Sequence, residues 1–243
     1  MNIAHETPVG AIVAQRLGRA RVFERLGIDY CCHGATPLAE ACAERSLDVD
    51  RVMAEIAESD LREVNEDFDR IDGSAMTAGE LADHIVGTHH AFLRRELPSL
   101  CDLMDKVAAA HGATHPELAD LSSTLTDLRQ ELESHMIKEE RVLFPLIKQL
   151  EAARELFPIH CGTVENPIRV MEHEHETVGS ALGRIRILTG TYQAPADGCA
   201  SFRALYDGLA RLESDLHLHI HKENNILFPR AAAFESALRQ AGA

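Results

Sequence analysis

Apolar positions recur at steps of three and four along this chain, and nowhere do they alternate over a sustained run. That periodicity predicts helices and not strands. From Thr77 onward it predicts four long helical segments, at about 77–110, 116–151, 165–190 and 197–229. The breaker-rich stretches HGATHP, FPIHCGTVENP and TGTYQAPADG separate them. Four such helices joined by short connections describe an antiparallel four-helix bundle. The preceding residues read as a small helical unit. PVGAIVAQRLGRARVFERLGI is expected to form one amphipathic helix stopped at Gly27, followed by the tight loop DYCCHGATP, the segment LAEACAERSL, and a helix over VDRVMAEIAESD capped by Asp48. The expected organisation is all-α: a small helical domain over 1–60, a charged linker over 61–76, and the bundle over 77–243. Leu-Phe-Pro falls near the ends of the second and fourth segments, where proline can stop or kink a helix.

Steps of three and four also define the buried seam of each helix. The second seam reads Leu125, Leu128, Leu132, His135, Glu139, Val142, Leu146. The third reads Ile168, Met171, His175, Val178, Leu182, Ile185, and the fourth Leu205, Leu209, Leu212, Leu216, His219, Glu223, Ile226. A histidine interrupts each stripe, and in two of them a glutamate follows four residues later. SHMIKEERVLFPLI and LHIHKENNILFPRA share this pattern at a fixed offset of 84 residues, from His135 to His219. In the first segment two seams compete: Leu81, His84, Thr88 and Ala91, or Ala82, Ile85, His89 and Phe92. His84 is preferred there, with His89 and His90 as the alternatives.

Burying a carboxylate costs several kcal/mol unless it is paired or bound to a metal. Histidine and glutamate at i and i+4 lie one helical turn apart, so both reach one centre. Four imidazoles and two carboxylates, with no thiolate on the seams, suit a pair of iron, manganese or zinc ions. A ferritin-like di-iron bundle would want four glutamates and two Glu-x-x-His motifs, the opposite balance. The remaining histidines, His217 and His221 among them, are assigned to surface or loops.

Charge and cysteine narrow the function. The 243 residues carry a net charge of −15, which disfavours nucleic acid and anionic membrane surfaces as partners. No run of about 18 apolar residues is present and the N-terminus lacks the regions of a signal peptide, so the expected location is the cytoplasm. The six cysteines lack CxxC spacing and are expected to be thiols. Adjacent Cys31 and Cys32 are poorly placed for a mutual disulfide. As a thiol pair in a loop they are candidates for redox or iron-transfer chemistry. No nucleophile with a general base is evident, so an ordinary hydrolase is not supported. Redox chemistry on nitric oxide at the metal site is left open.

DYCCHG in a small helical domain, SHMIKEERVLFPLI and KENNILFPRA together give the chain a family resemblance. The bundle is similar to a hemerythrin-like domain, and nearly the whole chain resembles the iron-sulfur cluster repair di-iron proteins. That resemblance implies two irons, joined by an oxo bridge, with His84, His135, His175 and His219 as terminal ligands and Glu139 and Glu223 bridging. It implies a stress protein that restores iron-sulfur clusters damaged by nitric oxide or oxidants, with damaged iron-sulfur proteins as partners. The alternative is a cytosolic scavenger or sensor of nitric oxide or oxygen. One departure stands out: the family loop usually reads Cys-Cys-Gly-Gly, and here it is Cys31-Cys32-His33-Gly34. An oxygen-carrying hemerythrin would have five histidines, a glutamate and an aspartate. A homodimer is neither required nor excluded.

Overall fold

The computed structural model describes residues 3–62 and 76–241, and the expected linker lies largely outside them. The described residues are helical with short connections, and among them the sole β-type pairing is an isolated bridge between Pro8 and Pro37. They fall into two compact units: His84–Leu146 with Glu165–Leu216, and Met1–Asp83 with Ile147–Val164 and His217–Ala243.

The first of these is a four-helix bundle. Its helices are α6 (Ala91–His111), α7 (Glu117–Lys138), α9 (Glu165–Leu188) and the larger part of α10 (Ala200–Lys222). α7 packs against both α6 and α9. Between α9 and α10, Arg186 places both ends of its guanidinium on Glu213, at 2.6 and 3.1 Å. α10 approaches α6 closely at Gly208, where a Cβ would sit 2.5 Å from Leu100 Cδ2. The core is the expected apolar seam: Leu125, Leu128 and Leu132 from α7, Ile168, Met171 and Val178 from α9, and Leu205, Leu209 and Leu212 from α10 are all buried.

In the second unit the expected single N-terminal helix is broken. α1 (Val9–Gln15) ends at Arg16, whose backbone is extended (φ −157°), and a short 3-10 turn over Leu17–Arg19 leads into α2 (Ala20–Leu26). The break has a physical reason. It lets Arg16 donate to the Asp60 carbonyl at 2.9 Å and Arg19 clasp the Asp60 carboxylate at 2.8 and 3.0 Å, fixing α4 (Val49–Arg62) against both helices. Gly27 does stop α2, in the left-handed conformation (φ 68°) that favours glycine. Asp48 caps α4, accepting from the Arg51 N–H at 3.0 Å. α3 (Leu38–Glu44) follows Pro37.

α5 (Ala78–Ile85) opens with a capping box: Thr77 N–H reaches Glu80 Oε2 at 2.9 Å and Glu80 N–H reaches Thr77 Oγ1 at 3.1 Å. Glu151, from α8 (Phe144–Ala152), accepts the next two amides, those of Ala78 and Gly79, at 2.7 and 2.8 Å. α11 (Phe228–Ala241) closes the chain, its Glu235 accepting the Val164 N–H at 2.7 Å.

Among the described residues three π-turns interrupt the helices, over Val86–His90, Glu139–Leu143 and Glu223–Leu227, and α9 has none. Pro145 and Pro229 are the second residues of α8 and α11, directly after two of these turns. Both prolines therefore sit where a wide turn gives way to an ordinary one. A residue with no N–H fits where the hydrogen-bond ladder shifts. They neither stop nor end the helices.

Candidate metal centre

A π-turn adds one residue to a helical turn and so displaces every later side chain around the axis. That displacement decides which first-segment histidine faces inward. Leu81 and Ile85 lead to His89, whereas Leu93 and Leu97, counted backwards, lead to His90, and both histidines are buried. His84, the residue preferred from the sequence, is not brought to the other site residues. It is half-buried, with its Nδ1 3.3 Å from the Thr88 hydroxyl on the outer part of the turn. His90 takes the inward position. The same displacement exposes Val142 by 54%, although the expected seam included it, and buries Leu143, Phe144 and Ile147 instead.

In the bundle unit, His90, His135, Glu139 and His175 converge. Glu139 is fully buried and presents its two oxygens to two different histidines: Oε2 lies 3.3 Å from His90 Nε2, and Oε1 lies 3.3 Å from His135 Nε2. His175 Nε2 is 3.1 Å from His135 Nε2. His135, Glu139 and His175 each offer a ligand atom within 4.8 Å of the others. In the other unit, His219 and Glu223 repeat the His135–Glu139 relation, with Nε2 and Oε1 2.9 Å apart and both residues buried. Each glutamate opens a π-turn, so it stands at the point where the register changes.

Carboxylates behind the imidazoles set their orientation. His90 Nδ1 is 2.7 Å from Glu140 Oε1, which Arg94 also holds at 2.7 Å. Burial would raise the Glu140 pKa, but His90 and Arg94 outweigh it and hold the carboxyl below its ordinary range. His135 Nδ1 is 2.9 Å from Glu174 Oε2, whose other oxygen takes Lys138. The bond to His135, helped by Lys138, brings Glu174 down to about 2. With Nδ1 committed outward, Nε2 of each ring faces inward as an electron-pair donor. His89 is buried too, with its Nδ1 2.9 Å from Asp215, but it is His90 whose Nε2 meets Glu139. Sequence periodicity did not single out these carboxylates. Glu140 and Glu174 each sit one residue away from a seam position, and that offset is their only signal.

His221 corrects another expectation. It is fully buried, not a surface residue, with its ring edge-on to Tyr30 at 5.5 Å and its Nδ1 3.4 Å from the Tyr30 carbonyl. Burial drives its pKa down to about 4, keeping the ring neutral. Tyr30 opens the Cys31–Cys32 loop. Asn225, in the π-turn after Glu223, donates to the Cys31 carbonyl at 3.0 Å and the Tyr30 carbonyl at 3.3 Å, and Asn224 donates to Cys31 at 3.3 Å. Gly10 and Gly34 flank the Asn225 side chain so closely that a Cβ on either would collide with its oxygen. Cys31 is buried and Cys32 half-buried, their sulfurs are 3.9 Å apart, and both are thiols. The hydrogen bond with Cys32, then burial, pushes the Cys31 pKa well up.

Imidazole nitrogens with buried carboxylates, and no thiolate among them, fit iron or another first-row ion of intermediate softness. Residues 81–231 match the hemerythrin HHE cation binding domain, which places this bundle in a class of metal-binding helical proteins. Residues 5–60 match ScdA_N, a domain of unknown function (DUF542). The iron-sulfur cluster repair protein YtfE of Enterobacter sp. (strain 638) is 36% identical over 230 residues, covering 95% of this chain and 98% of the relative. The YtfE protein of Edwardsiella ictaluri (strain 93-146) is 39% identical over 226 residues, covering 93% and 96%. The chain belongs to the hemerythrin-like iron-sulfur cluster repair protein family.

Proposed function

We propose that this protein holds two irons joined by an oxo bridge and repairs iron-sulfur clusters damaged by nitric oxide or oxidative stress by supplying iron. The relatives named above are iron-sulfur cluster repair proteins. In this reading the ligands are those the family resemblance implies, with His90 in place of His84: His90, His135, His175 and His219 would be terminal ligands, and Glu139 and Glu223 would bridge. The observation that carries it is Glu139, whose two oxygens each face a different histidine, as a bridging carboxylate must. The 84-residue repeat supplies Glu223 as its counterpart.

An iron pair supplies redox-active coordination whose hold on metal and on small diatomic ligands varies with oxidation state. The chain's own residues do the rest. Glu140 and Glu174 hold the imidazoles with Nε2 inward, and the leucine seams exclude water. The Cys31–Cys32 loop is the proposed place where iron or electrons leave, the small domain spanning 1–60 and the bundle 77–243. No helix among the described residues is long and apolar enough to cross a membrane, and we place the protein in the cytoplasm.

The test is to incubate iron-loaded protein with a cluster enzyme inactivated by nitric oxide, under reducing conditions. Recovered activity matched by iron lost from the protein is expected. Tight nitric oxide binding without any recovery would replace this reading with that of a gas scavenger or sensor.

A further inference from the structure

The Asp29–Cys32 loop has the geometry of a second cation site. Asp29, Cys31 and Cys32 each offer a ligand atom within 4.8 Å of the others. Two sulfurs bound at about 2.3 Å to one tetrahedral ion stand about 3.8 Å apart. The Cys31 and Cys32 sulfurs are 3.9 Å apart. A sulfur and a carboxylate oxygen on the same ion, at about 2.3 and 2.1 Å, stand about 3.6 Å apart. Cys31 Sγ lies 3.3 Å from Asp29 Oδ1. Both distances made by the Cys31 sulfur are thus within a few tenths of an ångström of a tetrahedral bite, and the Cys32 sulfur and Asp29 lie within 4.8 Å of each other.

The loop is also held in place from both sides. The Cys31 and Cys32 amides donate to Asp29 Oδ1 at 3.0 and 2.9 Å, and His33 Nδ1 is 2.7 Å from Asp29 Oδ2. A carboxylate braced by an imidazole keeps its orientation as a ligand. On the other side, Asn224 and Asn225 grip the Cys31 carbonyl. Cys31 is 5% exposed, whereas Cys32 and Asp29 are half-buried, so the loop is partly open to solvent.

We propose that Asp29, Cys31 and Cys32 bind one divalent transition-metal ion through two thiolates and a carboxylate, with His33 positioning Asp29. The ion displaces both thiol protons to solvent, with no change of oxidation state. The fourth coordination position is left for water or for an acceptor's ligand, as transfer of the ion requires. That the ion is ferrous iron in transit rests on the function proposed above; the site itself does not.

Cobalt(II) is the probe, added to full-length, iron-loaded protein under anaerobic, reducing conditions. Thiolate-to-cobalt charge-transfer absorption should saturate at about one equivalent. It should vanish in Cys31→Ser/Cys32→Ser, need at least a tenfold higher cobalt concentration in Asp29→Asn, and persist in Glu223→Gln. Far-ultraviolet circular dichroism confirms that each variant is folded. In the unsubstituted protein, cobalt should protect Cys32 from alkylation, read by peptide mass spectrometry. Absorption that survives in the double variant, or Cys32 alkylated equally with and without cobalt, would overturn the site. An unchanged cobalt requirement in Asp29→Asn would remove the carboxylate from it. Failed repair with the absorption intact would overturn the proposed function and leave the site standing.

Discussion

The Nδ1 of His135 lies 2.9 Å from Oε2 of Glu174, and the same carboxylate takes the ammonium of Lys138. Glu174 therefore fixes which nitrogen of His135 faces inward. Glu174→Gln keeps the shape but removes the charge that favours this tautomer. Metal affinity is expected to fall about 10- to 100-fold, read by competition with a chelator. Helicity should be unchanged, because Glu174 is only partly buried. An affinity equal to that of the unsubstituted protein would leave Glu174 a surface ion-pair partner of Lys138.

His90 and His84 make a sharper pair. His90→Ala should lower iron from about two per chain to about one, and His84→Ala should leave it unchanged. Elemental analysis of both variants after identical loading decides it. Loss of iron from His84→Ala alone would return the inward position to the residue that the seam count preferred.

His221 should behave as packing. His221→Ala removes a fully buried ring from against Tyr30 and is expected to cost about 2 kcal/mol of stability while keeping the metal. His219→Ala should lose metal. Denaturant titration beside iron analysis separates the two effects.

The cysteines should differ in reactivity. Cys199 is exposed just before α10, and its thiol is brought down to about 7 by the Phe202 backbone N–H, then by His111. Its alkylation rate should reach half-maximum near pH 7, and His111→Ala should move that midpoint up. Cys31, whose pKa is raised, should alkylate far more slowly at neutral pH. Peptide mass spectrometry at a series of pH values reads all of these sites together.

How far the sequence was legible depends on the helix. The third seam was read in full: Ile168, Met171, His175, Val178, Leu182 and Ile185 are all buried, because α9 keeps one period throughout. The second was read correctly as far as Glu139 and then slipped by one residue, so that Val142 is exposed and Ile147 buried. In the first, the seam through Leu81 preferred His84, which lies before the π-turn, whereas the inserted residue turns His90, at its end, inward. The slip was visible in principle. Counting forward from Ile85 reaches His89, counting back from Leu93 reaches His90, and the disagreement between the two counts marks an inserted residue. His221 was missed for another reason. What buries it is Tyr30, 191 residues away, and helical periodicity carries no information about such a neighbour.

The π-turns have a consequence for how this protein can change. Each supernumerary residue rotates the downstream part of its helix by about 100°. Deleting one residue from Glu139–Leu143 would restore an unbroken α-helix, a better local structure by itself. It would also swing Phe144, Ile147 and Leu150 out of their buried positions. A shortened helix is therefore locally favoured and globally excluded, so the chain length of these three turns should resist deletion more strongly than the identity of most residues within them.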